Sequence, residues 1–483
     1  MAPTSYKIDS EIPDSYTEKL LDFIQKKYLL PQKERFSSIV RKKSQDGSYL
    51  SYAVRDEKGQ PFLEVEVKAS NPVEVEINPI VENLPETSIE EAKQDIVIAL
   101  QIFEESARKS TLYFAWREGE EIVPEALKKG EKSINRLFLE TQVLFFMLFA
   151  GFGVFLFFII YTFFPDAIWV APIVLVAAQF VLVFFSTSFI SRYADWPITH
   201  DNPTIHFLEY HLPLMESGDF TKSYSPAQML KIKKEVYEAI LAKKGEINCA
   251  AAQEIFSKHG VECQEANLTS KKVNVYALVK KIADKFGYPM PKIVVSNTIL
   301  PNAAASGPSP KRGLVLITTG LLVQLEEEEV LSVLGHEFGH LKGRDPLVLF
   351  GLTSAEFLFR FYVIFPYFPL LFSSLFLFFI YFWLVMTVIF FIAKFFEARS
   401  DLVSAIEVGQ PEVLAGALEK IGFQRLLLER TPSFRIQEWV GFDPHPPISF
   451  RVRRLQKLKT PVRIRYPLIQ SIKDVLSGFF ASL

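Results

Sequence analysis

Residues Thr141 to Phe164 form a run of 24 without a charged side chain, and Ala167 to Ile190 form a second of equal length. At 1.5 Å rise per residue, each makes a helix of roughly 36 Å, enough to cross a hydrocarbon layer with some tilt. Only Pro165 and Asp166 separate them, which predicts a tight transmembrane hairpin. A second apolar block follows Asp345 and reaches Ala393. Glu356 and Arg360 interrupt it at a spacing of four, where they can neutralise each other, and Pro366 and Pro369 supply a break. The block therefore predicts helices over 346–364 and 370–393. Lys128, Lys129, Lys132 and Arg136 precede the first hairpin and Arg192 follows it; Lys342 and Arg344 precede the second, and Lys394 and Arg399 follow. By the positive-inside rule, both hairpins begin and end in the cytoplasm.

The remaining segments read as soluble. A net charge of -2 gives no electrostatic reason for a nucleic-acid partner. Cys249 and Cys263 lie in a polar helical region without metal-ligand spacing, so neither a disulfide nor a cysteine metal site is expected, and a reducing compartment follows. The first residues carry no apolar core or cleavage site, so no signal peptide is expected. Residues 1–133 read as an N-terminal α+β domain: a helix from Ser15 to Tyr28, alternating strands over 49–54, 62–67 and 73–77, a helix opened by Ser88 with Glu91, and a strand from Leu112 to Trp116. Nothing there has catalytic spacing, so the domain is expected to be a binding or regulatory appendage. Further on, Lys272–Phe286 reads as an amphipathic helix, and 293–295 and 314–317 read as strands. His200, His206 and His211 share no helix face and are taken as surface or core histidines. Asn302, Ala303 and Ala304 open a small-residue segment that suits either an exposed sheet edge accepting an extended peptide or a plain surface loop. Glu326 to Glu329 predict a helix first turn.

The chemistry concentrates in Leu-Ser-Val-Leu-Gly-His-Glu-Phe-Gly-His, residues 331–340, in a chain with only seven histidines. On a helix His336 and His340 share one face and can grip one metal ion beside Glu337, the H-E-x-x-H arrangement of zinc hydrolases. A hydrolytic zinc site takes three protein ligands, and the third is expected where the chain re-enters the cytoplasm. Glu397 and Asp401 stand there, four apart: Glu397 can ligate and Asp401 can accept the outer ring N–H of a histidine. On the residues alone, an interfacial carboxylate at a helix end remains the other reading of Glu397.

Taken together, 291–295, Asn302–Gly307, Thr318–Leu322, His336–His340, Glu397–Asp401 and His445-Pro446-Pro447 with Arg453 and Leu455 resemble, in order, the HtpX family of membrane-embedded zinc metalloproteases, relatives of the zinc-dependent CAAX prenyl protease. The resemblance covers about residues 137 to 460. It implies one Zn2+ per chain on His336, His340 and Glu397, Glu337 as general base, the Asn302 segment as the substrate edge strand, and His445 stabilising the tetrahedral intermediate. Ala304 stands where the family carries an aromatic, Gly335 where alanine is common and Gly343 where asparagine is frequent. The expected fold is an α+β multi-pass membrane protein: four transmembrane helices in two hairpins (137–192 and 346–394), a cytoplasmic, mostly helical zincin-type protease domain with a small sheet (193–345 and 395–483), and the N-terminal soluble α+β domain. The expected function is cleavage of membrane or misfolded polypeptides at the cytoplasmic face in protein quality control. The alternatives are a prenyl-protein processing protease and a non-catalytic membrane scaffold. The expected partners are polypeptide substrates and the lipid bilayer.

Overall fold

The computed structural model describes residues 4–11, 16–44, 47–56, 58–81, 84–117, 155, 158–164, 169–212, 225–240 and 248–483. Alternating valines, leucines and tyrosines build the first sheet, in the order β1 (Thr4–Ile8), β5 (Val73–Pro79), β4 (Pro61–Lys68), β3 (Gly47–Arg55), β2 (Phe36–Ser44), all neighbours antiparallel. One face buries Leu50, Tyr52, Leu63, Val65 and Val67 against α1 (Thr17–Phe23), which continues as a wider turn to Leu29, and α2 (Glu86–Arg108). α2 starts two residues before the expected Ser88 cap, with no side-chain cap at Pro85.

β6 (Thr111–Arg117) does not join that sheet. It pairs with β8 (Thr204–His211), which pairs in turn with β9 (Leu268–Asn274), while the short β7 (Trp196–Ile198) belongs to a third sheet. The expected boundary near 133 lies outside the described residues, yet a strand before it and a strand after it share one sheet. The segment is also tied to the chain's later helices. Asp95, almost fully buried on α2, accepts from Tyr28 Oη at 2.9 Å and Arg35 at 2.8 Å, and pairs with Arg430 at 3.2 Å. Of the three histidines on this side, His206 stacks on Trp116 and His211 is buried against Thr111.

Burial, with the charge of Glu11 beside it, pushes the Glu104 carboxyl up to about 7, and burial does the same to Glu209 and Glu419. These groups keep a proton in the folded chain that the unfolded chain releases near pH 4.3, so their contribution is full below about pH 4.3 and is lost as pH rises through about 7. The melting temperature in detergent is expected to fall between about pH 5 and pH 7.5, less steeply in Glu104→Gln.

Most of the first expected span, 141–164, lies outside the described residues; the second stretch is seen as α3 (Ala171–Tyr193). Beyond it come α4 (Pro226–Ala239) and α5 (Cys249–Lys258). Contrary to the sequence expectation, Cys249 and Cys263 form a disulfide, with Cα atoms 5.3 Å apart. The ten residues of α5 rise about 15 Å, and the five residues after it, reversing at Gly260, cover about the same length when extended, which returns Cys263 to Cys249. Reading this region as continuously helical hid that reversal. Alkylation of denatured protein is expected to find two reactive thiols only after reduction.

Residues 268–274, partly expected as helix, are strand, and α6 (Val275–Phe286) starts where the Asn274 side chain caps Ala277 N. The third sheet runs β11 (Ala303–Ser306), β12 (Leu314–Thr318), β10 (Lys292–Ser296), β7, with β11 at the edge. α7 (Thr319–Gln324) leads into α8 (Glu327–Gly343), whose first turn holds the acidic cluster, with Glu326 and Glu329 forming a reciprocal cap. Arg344, in the left-handed region at φ 53°, turns the chain directly into α9 (Asp345–Phe359), which continues through a wide turn to Tyr367. A short helix begins at Leu370 as expected but breaks at Ser374, and α10 then runs unbroken from Leu375 to Glu407, beyond the apolar run. The segments Asp345–Tyr367 and Leu375–Glu407 are long and apolar enough to cross a membrane, and their most apolar stretches are not buried in the protein. Glu356 and Arg360 pair at 3.0 Å, as their spacing requires. The chain closes with α11 (Pro411–Ile421), α12 (Phe423–Glu429), α13 (Pro432–Val440), α14 (Ile448–Gln456) and α15 (Pro467–Phe480).

Candidate metal centre

The site lies where α8 crosses α10. Gly335, Gly339 and Gly343 recur every four residues on the face of α8 that meets α10, and each leaves space a side chain would fill. A Cβ on Gly339 would stand 3.0 Å from Ser400 Cα; on Gly335, 2.5 Å from Val408 Cγ2; on Gly343, inside the Arg399 guanidinium. The two departures at 335 and 343 thus have a packing reason in this chain. Gly339→Ala is expected to cost about 1–3 kcal/mol of stability, read as a lowered melting temperature.

This close approach brings His336, His340 and Glu397 together. Their Nε2 and carboxylate oxygens lie within 4.8 Å of one another. His336 Nε2 is 3.1 Å from His340 Nε2 and 3.3 Å from Glu397 Oε2, and His340 Nε2 is 3.3 Å from Glu397 Oε1. Tetrahedral bonds of about 2.0–2.2 Å separate neighbouring donor atoms by roughly 3.3–3.6 Å, so this spacing suits one small ion. The outer nitrogens support the same reading. His336 Nδ1 faces Asp401 Oδ1 at 2.8 Å and His340 Nδ1 faces Asp345 Oδ2 at 2.8 Å. A carboxylate that accepts a hydrogen bond from Nδ1–H keeps the proton on that nitrogen and leaves the lone pair on Nε2. Burial opposes a charge on His336, yet the close carboxylates of Asp401 and Glu397 outweigh it and push the imidazole up to about 10. The surroundings are anionic enough to demand a cation, and Glu397 Oε2 is buried without a hydrogen-bond partner among the described residues.

Two arginines hold the outer carboxylates, and neither follows from the motif. Arg451, buried on α14, donates from Nε and Nη2 to the two oxygens of Asp401 at 2.9 and 2.7 Å. Arg399 donates to Asp345 Oδ2 at 2.6 Å and to Gly339 O at 3.1 Å. Arg451 lies six residues after His445 and a turn into the next helix, so no periodicity pointed to it. Asp345 was noted only as a boundary; its role depends on the left-handed turn at Arg344.

His445 reaches the same place. Its Nε2 is 3.6 Å from Glu397 Oε2, and its Nδ1 is 2.8 Å from Asp443 Oδ1. Burial works against the Asp443 charge, but His445 and Arg425 hold that carboxyl well below the usual range. Lys394 Nζ donates to Asp443 O, fixing the loop to α10.

Glu337, half-buried beside the ligand atoms, points at the sheet edge and accepts from Ala305 N at 2.8 Å. The small-residue segment is therefore an edge strand: Ala303 pairs with Ile317 and Ala304 with Leu316 on β12. Asn302 lies just before it, its N–H donating to Thr318 Oγ1 at 2.8 Å. Of these residues it is Ala305, outside the expected trio, that meets Glu337.

Residues 269–459 match the model of peptidase family M48. The chain is 45% identical over 74 residues to the protease HtpX homolog of Thermodesulfovibrio yellowstonii, a stretch covering 15% of this chain and 26% of that protein. It is 30% identical over 225 residues to the protease HtpX homolog of Desulforapulum autotrophicum, covering 38% and 68%. It is 29% identical over 225 residues to protease HtpX homolog 2 of Methanosarcina acetivorans, covering 39% and 74%. Among solved structures, the crystal structure of S. mikatae Ste24p aligns with a TM-score of 0.38 and 13% identity over 68% of this chain and 66% of that one, too weak a likeness to carry an argument. The H-E-x-x-H helix lies inside the family-model match, and on these similarities the chain belongs to peptidase family M48, among the HtpX homologues.

Proposed function

We propose that this chain is a zinc metalloendopeptidase that cleaves membrane or misfolded polypeptides at the cytoplasmic membrane face. The observation that carries the reading is the meeting of two imidazole nitrogens 3.1 Å apart, each 3.3 Å from one oxygen of Glu397, beside a glutamate that lies against an open strand edge. His336, His340 and Glu397 would hold the ion, which when bound supplies Lewis acidity toward a water and a carbonyl. Glu337 takes the proton of the attacking water and passes it to the leaving amine. β11 holds the substrate as an added strand, largely through main-chain hydrogen bonds, so selection by side chain is loose. An incoming strand that engages Ala305 N–H frees Glu337 for its work as base. Asp443 orients His445, whose Nε2 serves the negative oxygen of the tetrahedral intermediate. Asp401 and Asp345 keep the two histidines in the ligating tautomer.

The basic flanks of the apolar runs support the cytoplasmic side. The Cys249–Cys263 bond is of a kind kept in oxidising compartments and argues for the other side. Labelling of a single cysteine at exposed Lys457 by an impermeant reagent in intact cells decides between them: protection supports the cytoplasmic placement, and labelling overturns it. For the activity, detergent-purified protein is expected to hold one zinc per chain and to degrade unfolded casein. Removal of zinc by a chelator abolishes cleavage and its readdition restores it. A protein that binds zinc but processes only prenylated peptides would replace this reading with that of a prenyl-protein processing protease.

A further inference from the structure

α15 lies along α10 and runs back toward its apolar part. Arg454 donates to Ala398 O and, at 2.8 Å, to Ser471 Oγ, which sets Ser471 at the level of Ala398. Eight residues on, the Phe479 ring stands 5.4 Å from that of Phe391. Phe442, just after α13, meets Phe390 at 5.9 Å and is half exposed. The face of α15 carrying Ser471, Val475 and Phe479 is thus used against α10 and Trp439. A second stripe, Ile469, Leu476 and Phe480, follows helical spacing, faces outward and stays bare, with Phe480 66% exposed; Leu483, just past the helix end, is 74% exposed. The stripe continues the uncovered apolar surface of the α10 span, whose most apolar stretch is likewise unburied. The charge pattern matches. Between Asp443 and Asp474 there is no acidic residue, while Arg453, Lys457, Lys459, Arg463, Arg465 and Lys473 are exposed and make no ion pair among the described residues.

We propose that α15 and the basic segment before it form an interfacial anchor. The C-terminal part of the stripe, Leu476 and Phe480 with Leu483 beyond them, enters the leaflet beside α10, and Arg463, Arg465 and Lys473 hold the phosphates of anionic lipids. A helix lying in the interface combines such an apolar face with basic residues at headgroup level. Phe391 precedes Glu397 by six residues, about 9 Å along α10, so the anchor sets the metal centre just above the bilayer surface.

The test uses the full chain with Cys249→Ser and Cys263→Ser, carrying one environment-sensitive fluorophore at Phe480→Cys, at Leu384→Cys within the α10 span, or at Lys457→Cys. Each is reconstituted in phosphatidylcholine with or without phosphatidylglycerol. The label at 480 is expected to be quenched by lipids carrying a nitroxide on the acyl chain and shielded from iodide, like the label at 384 and unlike that at 457. Iodide quenching at 480 equal to that at 457 overturns the anchor. Loss of lipid quenching at 384 instead overturns the membrane span on which the anchor rests. Cross-linking of two copies through residue 480 would assign the stripe to a second copy and likewise overturn it. Charge reversal by Arg463→Glu, Arg465→Glu and Lys473→Glu together is expected to lower the preference for phosphatidylglycerol, titrated with spin-labelled lipid, by at least roughly tenfold. An unchanged preference overturns the lipid-phosphate assignment.

Discussion

Glu337→Gln is expected to lower kcat for casein cleavage by about 10²–10⁴-fold while leaving one zinc per chain. The substitution keeps the shape of the side chain and an oxygen that can accept from Ala305 N, so the edge strand stays in place. It leaves the three donor atoms untouched. What it removes is a carboxylate able to take the proton of the attacking water. Metal content by elemental analysis and turnover measured on the same preparation separate this from a folding defect. Full activity in the variant would remove Glu337 from the chemistry and, with it, the main support for hydrolysis at this site.

Arg451→Ala is expected to cost about 3–5 kcal/mol of stability, the largest effect of any single change outside the ligands. Arg451 and Asp401 are bonded through two hydrogen bonds in a place where Asp401 is fully buried. Removing the guanidinium strands a buried carboxylate that keeps, among the described residues, His336 as its close cationic partner. Denaturant unfolding of the detergent-solubilised protein reads the loss. The same variant is expected to weaken zinc binding by about 10–100-fold, because Asp401 no longer holds the His336 ring in place. The double variant Arg451→Met with Asp401→Asn separates the two effects: most of the stability returns because no charge is left unpaired, while zinc stays weak. If Arg451→Ala melts and binds zinc as the parent does, the arginine is a bystander.

Much of the centre was legible in the chain because its parts are local. His336 and His340 are one helical turn apart, and helix geometry alone puts them on one face. Glu397 was reachable because the apolar run from 370 to 393 delivers the chain back to the side it left, and α10 extends that helix through Asp401. The small side chains of Asn302 to Ala304 suited an edge strand and a surface loop equally, and the pairing of Ala303 to Ser306 with β12 decided for the strand. The glycines of α8 were visible as departures, but their reason was not: only packing against Ser400, Ser404 and Arg399 shows why bulk is excluded. The disulfide was misread because a polar helical composition does not reveal a reversal at Gly260. The helix start at Ser88 yielded to Glu86, and the start at Lys272 yielded to a strand pairing with β8. At Lys272 local propensity lost to hydrogen bonds made across the chain.

By itself the amino-acid sequence determined where the second apolar block lies, that His336, Glu337 and His340 share one helix, and the family these make recognisable, since each depends on spacing along a single element. Tertiary structure alone decided that Arg451 and Arg399, on different helices, clamp the carboxylates behind the two histidines. It also decided that β6 leaves the N-terminal sheet for β8, and that α15 turns back along α10 with an apolar stripe uncovered. These are meetings between residues about 50 to 100 positions apart. Such contacts follow from packing and burial, which no periodicity within one segment encodes.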